Sequence, residues 1–137
     1  MNRLPATITA IEAHGSIALV EAAVGEQRFT ATLIGAGDEV AAWHAGMAVT
    51  LLFKETEVSL AKNLSGLISM RNRIPATVTA IERGKLLTKV TLAYDGSHVI
   101  SSVITTRSSH TLNLAVGDAV EGLVKANEMT VVPETSA

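Results

Sequence analysis

The chain has 137 residues, of which 47% are hydrophobic and 3% aromatic, with a formal net charge of −2 at pH 7 and no cysteine. The lack of a basic excess and of aromatic stacking surfaces argues against a nucleic-acid partner, and the lack of cysteine excludes disulfides and thiolate metal sites. No apolar run is long enough to span a membrane and no apolar signal core follows Met1, so we expect a cytoplasmic protein without a membrane partner.

Apolar stretches separated by glycine-rich turns predict short strands along the whole chain. In the first half, strands are predicted at residues 4–12, 17–24, 28–34, 47–53 and 57–61, with a helical turn at 39–44. In the second half, strands are predicted at 74–82, 87–94, 98–105, 119–124 and 129–132, with a helical turn at 108–114. Five strands with a helical turn between the third and the fourth are the plan of a small OB-like barrel.

The two halves of the chain are copies of one another. Residues 2–12 and 72–82 are identical at nine of eleven positions, and residues 46–57 match residues 117–128 at nearly the same offset. Two blocks in the same order at almost the same displacement indicate a tandem duplication. The predicted domains are copy one at 1–61 and copy two at 69–133, joined by a connector at 62–68 and followed by a tail at 134–137. The predicted fold class is all-β, with two tandem OB-like five-stranded barrels that each carry one short helical turn. We expect the connector to run along the first barrel.

Copy two carries a series of short motifs in a fixed order. They are Ser-Met-Arg-Asn at 69–72, Ile-Glu-Arg-Gly at 81–84, Val-Ile-Thr-Thr-Arg-Ser at 103–108, a Leu-x-Leu-x-x-Gly-Asp turn at 112–118 and Lys-Ala at 125–126. As a set, these motifs resemble the molybdate-binding Mop domain (molbindin), which is part of the wider TOBE class. The tandem copies resemble the di-Mop arrangement of molbindins and of molybdate-responsive transcription regulators.

The resemblance implies a molybdate or tungstate site between domains or subunits. The oxyanion-binding residues that it implies are Ser69, Arg71, Asn72, Thr105, Thr106, Ser108, Lys125 and Ala126, together with Lys54 of copy one. A tetrahedral dianion keeps its oxo groups, so it needs hydrogen-bond donors and cations rather than metal ligands. No catalytic residue, no direct metal ligand and no cofactor are expected beside the oxyanion itself.

Copy one departs from the family pattern. Its Ser-x-Arg positions would fall at or before Met1, and the segment that matches residues 105–108 is Ile-Gly-Ala-Gly at 34–37, which has no hydroxyl. Lys54 alone is retained. We therefore expect copy one to complete the fold, to contribute to the site through Lys54 or backbone donors at most, and to leave fewer sites than in a molbindin with two complete copies.

Structural roles for the same residues remain open at this point. Arg71 could cover an apolar strand with its stem, Lys54 and Lys125 could protect strand edges from aggregation, and Thr105 and Ser108 could cap the following helical turn. The four histidines share no ligand spacing.

The function predicted by the resemblance is reversible oxyanion binding for storage, buffering or homeostasis by a cytoplasmic homo-oligomer, either a dimer or a trimer. One alternative is the effector-sensing di-Mop module of a transcription regulator that lacks its DNA-binding domain. Another is a TOBE assembly module without a ligand. Molybdate and tungstate are nearly equal in size and charge, so the sequence does not separate them.

Overall fold

Ten strands form two antiparallel five-stranded sheets in the computed structural model, which describes residues 1–35 and 37–134. The strands of copy one are β1 (Asn2–His14), β2 (Ile17–Val24), β3 (Gln27–Ile34), β4 (Ala48–Phe53) and β5 (Ser59–Ala61). Those of copy two are β6 (Asn72–Arg83), β7 (Leu87–Tyr94), β8 (His98–Thr105), β9 (Ala119–Val124) and β10 (Thr130–Pro133). The predicted all-β class with two five-stranded OB-like units is confirmed.

Each copy has one short helix, and both helices begin earlier than predicted. Helix α1 (Gly37–Val40) carries acidic residues in its first turn, where they complement the helix dipole. Helix α2 (Thr106–Thr111) begins after Thr105, whose hydroxyl accepts a hydrogen bond of 3.1 Å from the Ser108 amide. Single 3₁₀ turns at Glu55–Glu57 and Ala126–Glu128 were not predicted. No helix in the described part of the chain is long and apolar enough to cross a membrane.

The duplication extends to the detail of strand pairing. Asn2 pairs with Phe53 in one sheet, and Asn72 pairs with Val124 in the other. The register of the first strand also shifts at the same place in both copies, between Ile8 and Ala10 and between Val78 and Ala80. A bulge of this kind bends and twists a strand, which helps a five-stranded sheet to curl.

The fifth strands are exchanged between the copies. Strand β5 pairs with β9 of copy two, and β10 pairs with β4 of copy one, so the sheet orders are β10-β4-β1-β2-β3 and β5-β9-β6-β7-β8. The expectation that residues 57–61 supply the fifth strand of copy one's own barrel was wrong. The 3₁₀ turn at Glu55–Glu57 precedes β5, and between them Val58 is buried and its carbonyl accepts a 2.7 Å hydrogen bond from Ser102 of copy two.

The two copies share one hydrophobic core, which contains buried residues of both sheets. Tyr94 of copy two packs edge-on against Phe29 of copy one, with ring centroids 6.3 Å apart, and its hydroxyl donates a hydrogen bond of 3.1 Å to the Val24 carbonyl. Burial raises the pKa of Tyr94, and the charge of Asp95 adds to this effect, so the phenol stays protonated as the donor. Because core and sheets are both shared, the two copies form one folding unit. The predicted domain boundaries stay predictions.

The connector begins on copy two. The Lys62 ammonium donates hydrogen bonds to the carbonyls of Leu112 and Asn113 and forms an ion pair of 2.9 Å with Asp118. The hydrogen bond that Lys62 donates to the Asp118 carboxylate lowers the pKa of Asp118, and a second hydrogen bond, from the Ala115 amide, lowers it further. The expectation that the connector runs along the first barrel is therefore wrong for its first residue.

Candidate oxyanion site

Strand pairing brings two of the predicted site motifs to the same end of copy two. Asn72 opens β6 and pairs with Val124, the last residue of β9. The strands are antiparallel, so the residue before β6 and the residue after β9 leave the sheet side by side. These residues are Arg71 and Lys125, which are 54 positions apart in the sequence.

A cavity of about 270 Å³ lies at this end of the sheet. Its lining combines the Ser-x-Arg and Lys-Ala motifs of copy two with one residue of copy one, and consists of Ser69, Met70, Arg71, Lys125, Ala126, Asn127 and Thr32. Four of the nine predicted site residues therefore meet in one cavity. Ala126 has no polar side-chain atom, so its only available donor is its backbone amide.

The polar side chains of this cavity are not used by the fold. Within residues 1–35 and 37–134, no hydrogen bond or ion pair engages the Ser69 hydroxyl, the Arg71 guanidinium or the Lys125 ammonium. All three residues are exposed. Two cations, which are donors only, and a hydroxyl, which can donate its proton, surround one cavity and suit a ligand that only accepts hydrogen bonds.

Asn72, the last residue of the Ser-x-Arg-Asn motif, is engaged in a different way. It is fully buried, its side-chain oxygen accepts a hydrogen bond of 2.8 Å from the Thr30 amide, and its side-chain nitrogen donates one of 2.9 Å to the Thr30 carbonyl. Asn2 makes the equivalent pair of bonds with Ser101, each 2.8 Å long. These two asparagines join each copy to the third strand of the other, and both amide groups are satisfied by protein atoms.

The hydroxyl residues of the middle motif lie at the opposite end of β6. Ser109 of α2 accepts a hydrogen bond of 3.2 Å from Arg83, the last residue of that strand. At about 3.3 Å per residue, the eleven steps from Asn72 to Arg83 correspond to about 35 Å along the strand. Thr105 and Ser108 therefore do not share a cavity with Arg71 within one chain.

These hydroxyls already have partners in the fold. Thr105 caps α2 and donates to the Ser108 hydroxyl at 2.8 Å. Thr106 donates to the Gly84 carbonyl at 2.9 Å and shares a further hydrogen bond with Thr88. The predicted capping role is present, and it leaves the Ser108 hydroxyl proton free to turn toward another acceptor.

Lys54 lies at the position in copy one that corresponds to Lys125 in copy two. It precedes the 3₁₀ turn Glu55–Glu57, and its amide donates a hydrogen bond of 3.3 Å to the Glu57 carboxylate. It does not line the cavity that holds Arg71. The residue after it is Glu55, where copy two has Ala126, so a carboxylate occupies the position that lines the cavity in copy two.

Two carboxyl groups contribute to the electrostatics around the cavity. A hydrogen bond from Arg28 lowers the pKa of Glu21, with further contributions from Thr9 and from the charge of Arg71. Glu128 follows Lys125 by three residues. A hydrogen bond with Glu57 raises the pKa of Glu128, as does burial, whereas the charge of Lys125 opposes the shift.

A second cavity, of about 360 Å³, lies between β5 and α2. It combines one cation and three hydroxyls, including that of the predicted ligand Ser108, with three apolar side chains, and its lining is Ser59, Leu60, Ile104, Arg107, Ser108, Thr111 and Leu112. Within the described residues, no group of three or more histidine, aspartate or glutamate side chains is placed to hold a metal ion.

Comparison with known families identifies the fold type. The TOBE domain model matches twice, over residues 1–60 and 68–131. The chain belongs to the TOBE domain family. The two matched segments correspond to the two copies, so this tandem TOBE protein carries its family signature in both halves, including the half without the Ser-x-Arg motif.

Two curated relatives are involved in molybdenum transport. Over 81 residues the chain is 42% identical to the molybdenum import ATP-binding protein ModC of Brucella abortus, covering 58% of this chain and 22% of that protein. Over 132 residues it is 26% identical to the molybdenum transport protein ModE of Herbaspirillum seropedicae, covering 95% of this chain and 49% of that protein. The chain thus spans about a fifth and about a half of these relatives.

A solved structure matches the tandem TOBE protein along nearly its whole length. It is a crystal structure of the cytoplasmic molybdate-binding protein ModG with molybdate bound, with a TM-score of 0.91 and 27% sequence identity. The match covers 97% of this chain and 96% of that chain. The two-copy architecture is therefore that of a known molybdate-binding protein.

Proposed function

We propose that this tandem TOBE protein reversibly binds molybdate, and also tungstate, and thereby stores or buffers the oxyanion in the cytoplasm. The observation that carries the proposal is the meeting of Ser69, Arg71 and Lys125 at one cavity, with no partner for their polar groups among the described residues. The likeness to ModG over the whole chain supports the choice of molybdate. In this proposal the protein is a binder and not an enzyme.

The chemistry of the cavity suits a tetrahedral dianion. Arg71 and Lys125 supply two positive charges, and charge-assisted hydrogen bonds to oxo groups are about twice as strong as those between neutral groups. The Ser69 hydroxyl and the Ala126 amide add neutral donors. No coordination change at the metal is needed, so the oxyanion is released unchanged when its free concentration falls.

We further propose that the complete site forms between two copies of this chain. A dianion at an exposed cavity competes with water for every donor, and a second surface that excludes water strengthens each of these bonds. Ser108 lines a different cavity from the one that holds Arg71, and Thr105 is hydrogen-bonded to Ser108, so both hydroxyls reach the same oxyanion only from a neighbouring chain. Ser69, Arg71, Lys125 and Ala126 of one chain would then face Thr105 and Ser108 of the next.

A second candidate function is effector sensing. The match to ModE covers 95% of this chain but 49% of ModE, so about half of that relative lies outside the match. A di-Mop module that acts through a DNA-binding partner would bind the same oxyanion at the same site. A third candidate, an assembly module without a ligand, predicts no oxyanion binding at all.

Isothermal titration calorimetry tests the proposal directly. Wild-type protein is titrated with molybdate, tungstate, sulfate and phosphate, and the first two are repeated with Arg71→Ala. Arg3→Ala serves as the control, because Arg3 is an exposed arginine on β1 with no ion pair in the described part of the chain. Losing a hydrogen bond to a charged group costs about 1.5–3 kcal/mol, so Arg71→Ala should weaken binding about tenfold or more.

The four anions and two variants separate an oxyanion-binding protein, whether it stores or senses the oxyanion, from an assembly module without a ligand. The proposal is supported if molybdate and tungstate bind saturably and sulfate does not, and if this binding is weakened about tenfold or more in Arg71→Ala but kept in Arg3→Ala. Absence of heat and of thermal stabilisation with both metal oxyanions would refute it in favour of the assembly module. Sedimentation of the loaded protein then reports whether chains associate when the site fills.

A further inference from the structure

Copy one presents its third strand to the oxyanion cavity. Side chains alternate along β3, so Phe29 and Ala31 point into the core while Thr30 and Thr32 share the other face. Thr32 lines the cavity together with Ser69, Arg71 and Lys125 of copy two.

The position of Thr32 is set by a buried contact beside it. Asn72 holds the backbone of Thr30 with two hydrogen bonds of 2.8 and 2.9 Å, and Asn72 directly follows Arg71. Thr32 lies two residues beyond Thr30, on the same face of the strand. The register of β3 against the Ser-x-Arg segment is therefore fixed by protein atoms without help from a ligand.

We propose that the Thr32 hydroxyl is a direct oxyanion donor, so that copy one supplies one wall of the site formed by the copy-two motif. This inference rests on the proposed function, and it assigns to copy one a ligand that neither its degenerate motif nor Lys54 provides. No hydrogen bond within residues 1–35 and 37–134 engages the Thr32 hydroxyl. Its proton is free for an acceptor in the cavity, and a fully ionised oxyanion offers only acceptors.

The two copies differ at the two positions that matter for this assignment. Strand pairing aligns Thr32 with Val103, because Thr32 pairs with Leu19 in copy one and Val103 pairs with Lys89 in copy two. The equivalent place in the molecule lies beside Lys54 of copy one. There Val103 presents two methyl groups, where Thr32 presents one methyl group and one hydroxyl to the cavity. The equivalent place also has Glu55 in place of Ala126, and the Glu55 carboxylate forms an ion pair of 3.5 Å with the Met1 amino group.

Both differences point in the same direction. The cavity at Arg71 gains a donor from copy one and keeps a neutral residue after its lysine. The equivalent place lacks the hydroxyl donor and has a carboxylate, paired with the Met1 amino group, at the position that follows its lysine. From this pattern we expect one oxyanion site per chain, and this site is built from residues of both copies.

The test uses three variants of the full chain, titrated with molybdate by calorimetry and melted without ligand. Thr32→Val keeps the shape of the side chain and reproduces the residue of copy two. Thr32→Ser keeps the hydroxyl. Thr50→Val is the matched control, because Thr50 is a half-buried strand residue on β4, separated from β3 by β1 and β2 in the sheet.

Thr32→Val should raise the molybdate Kd about tenfold, as expected for a lost hydrogen bond to a charged group. Thr32→Ser should stay within about threefold of wild type, as should Thr50→Val, and the melting temperature without ligand should be the same for Thr32→Val and Thr50→Val.

A molybdate affinity equal to that of wild type in Thr32→Val would overturn the inference. So would a loss of affinity in Thr32→Ser as large as that in Thr32→Val, because the hydroxyl would then not be the group that binds the oxyanion. Either result leaves the proposed function standing, since wild type still binds. Failure of wild type itself to bind molybdate would refute the proposed function, whatever the variants do.

Discussion

Asn2 and Ser101 exchange two hydrogen bonds of 2.8 Å, although 99 positions separate them in the sequence. The Asn2 amide satisfies the backbone N–H and C=O of Ser101 on the strand edge of the other copy. Asn2→Ala should lower the free energy of unfolding by about 2–3 kcal/mol, because both backbone groups lose their partner where Asn2 is buried. Urea denaturation measures the loss. The neighbouring exposed substitution Arg3→Ala should change stability by less than about 0.5 kcal/mol, and equal midpoints for the two variants would contradict the role of Asn2.

The buried hydroxyl of Ser102 should stabilise the exchanged strand β5, as Asn2 stabilises the contact with Ser101. It is fully buried and donates a 2.7 Å hydrogen bond to the carbonyl of Val58, next to β5. Ser102→Ala leaves this buried carbonyl without its donor and should cost about 1–3 kcal/mol of stability. Ser101→Ala is a matched control, since no hydrogen bond within the described residues uses the Ser101 side chain. A Ser102→Ala protein as stable as Ser101→Ala would show that the bond contributes little.

Exchange of β5 and β10 makes the two halves of the chain dependent on each other. Fragments 1–66 and 67–137 each keep four strands of one sheet but carry the fifth strand of the other. We expect each fragment alone to show little β-sheet circular dichroism and to elute as an expanded or aggregated species. Mixing them at equal concentration should restore the signal of the intact chain. A fragment 67–137 that folds alone with wild-type stability would contradict this dependence.

The contact between Glu57 and Glu128 should make stability depend on pH. The two residues occupy the same position in the two copies, and the hydrogen bond between them is the largest cause of the raised pKa of Glu128. Because the folded-state pKa exceeds the unfolded one, ionising Glu128 costs stability as pH rises through the folded-state pKa. Glu128→Gln removes that cost while keeping a donor to Glu57.

The Glu128→Gln variant should therefore melt about 1–3 °C above wild type at pH 7 to 8. The difference should shrink as pH falls and disappear well below the ordinary glutamate pKa of about 4.3, where the wild-type carboxyl is protonated in both states. Glu82→Gln, which changes an exposed carboxylate without an ion pair in the described range, should show no such pH-dependent gain. A constant difference between Glu128→Gln and wild type across this pH range would exclude the carboxyl pair as its cause.

Much of the local structure could be predicted from the sequence. The bounds predicted for β2, β7, β8 and β9 agree with the structure, because apolar strand patterns and neighbouring turn residues mark each of these strands in the sequence. The helices were predicted too late by two residues each. In copy two the Thr105 cap begins α2 directly at the end of β8, a continuity that hydrophobic periodicity does not reveal.

The candidate site was only partly accessible to sequence reasoning. The motifs indicate Ser69, Arg71 and Lys125, and these do line one cavity, but the roles of all nine predicted ligands remain predictions. Thr32 carries no motif and differs from Val103 by one hydroxyl, so a comparison of the two copies could have found it only with the cavity already known. Asn72 belongs to the motif, yet both its polar groups bind the backbone of copy one.

The sequence by itself determined the duplication, the all-β class and the chemistry of the available donors, because these follow from residue order, periodicity and side-chain type. Only the tertiary structure decided which sheet each fifth strand joins. It also decided which of the predicted ligands line one cavity within a single chain. Two copies with the same strand plan offer equivalent edges to β5 and β10, so local pattern cannot choose between them. The choice depends on contacts between residues far apart in sequence, such as Val58 with Ser102 and Asn72 with Thr30.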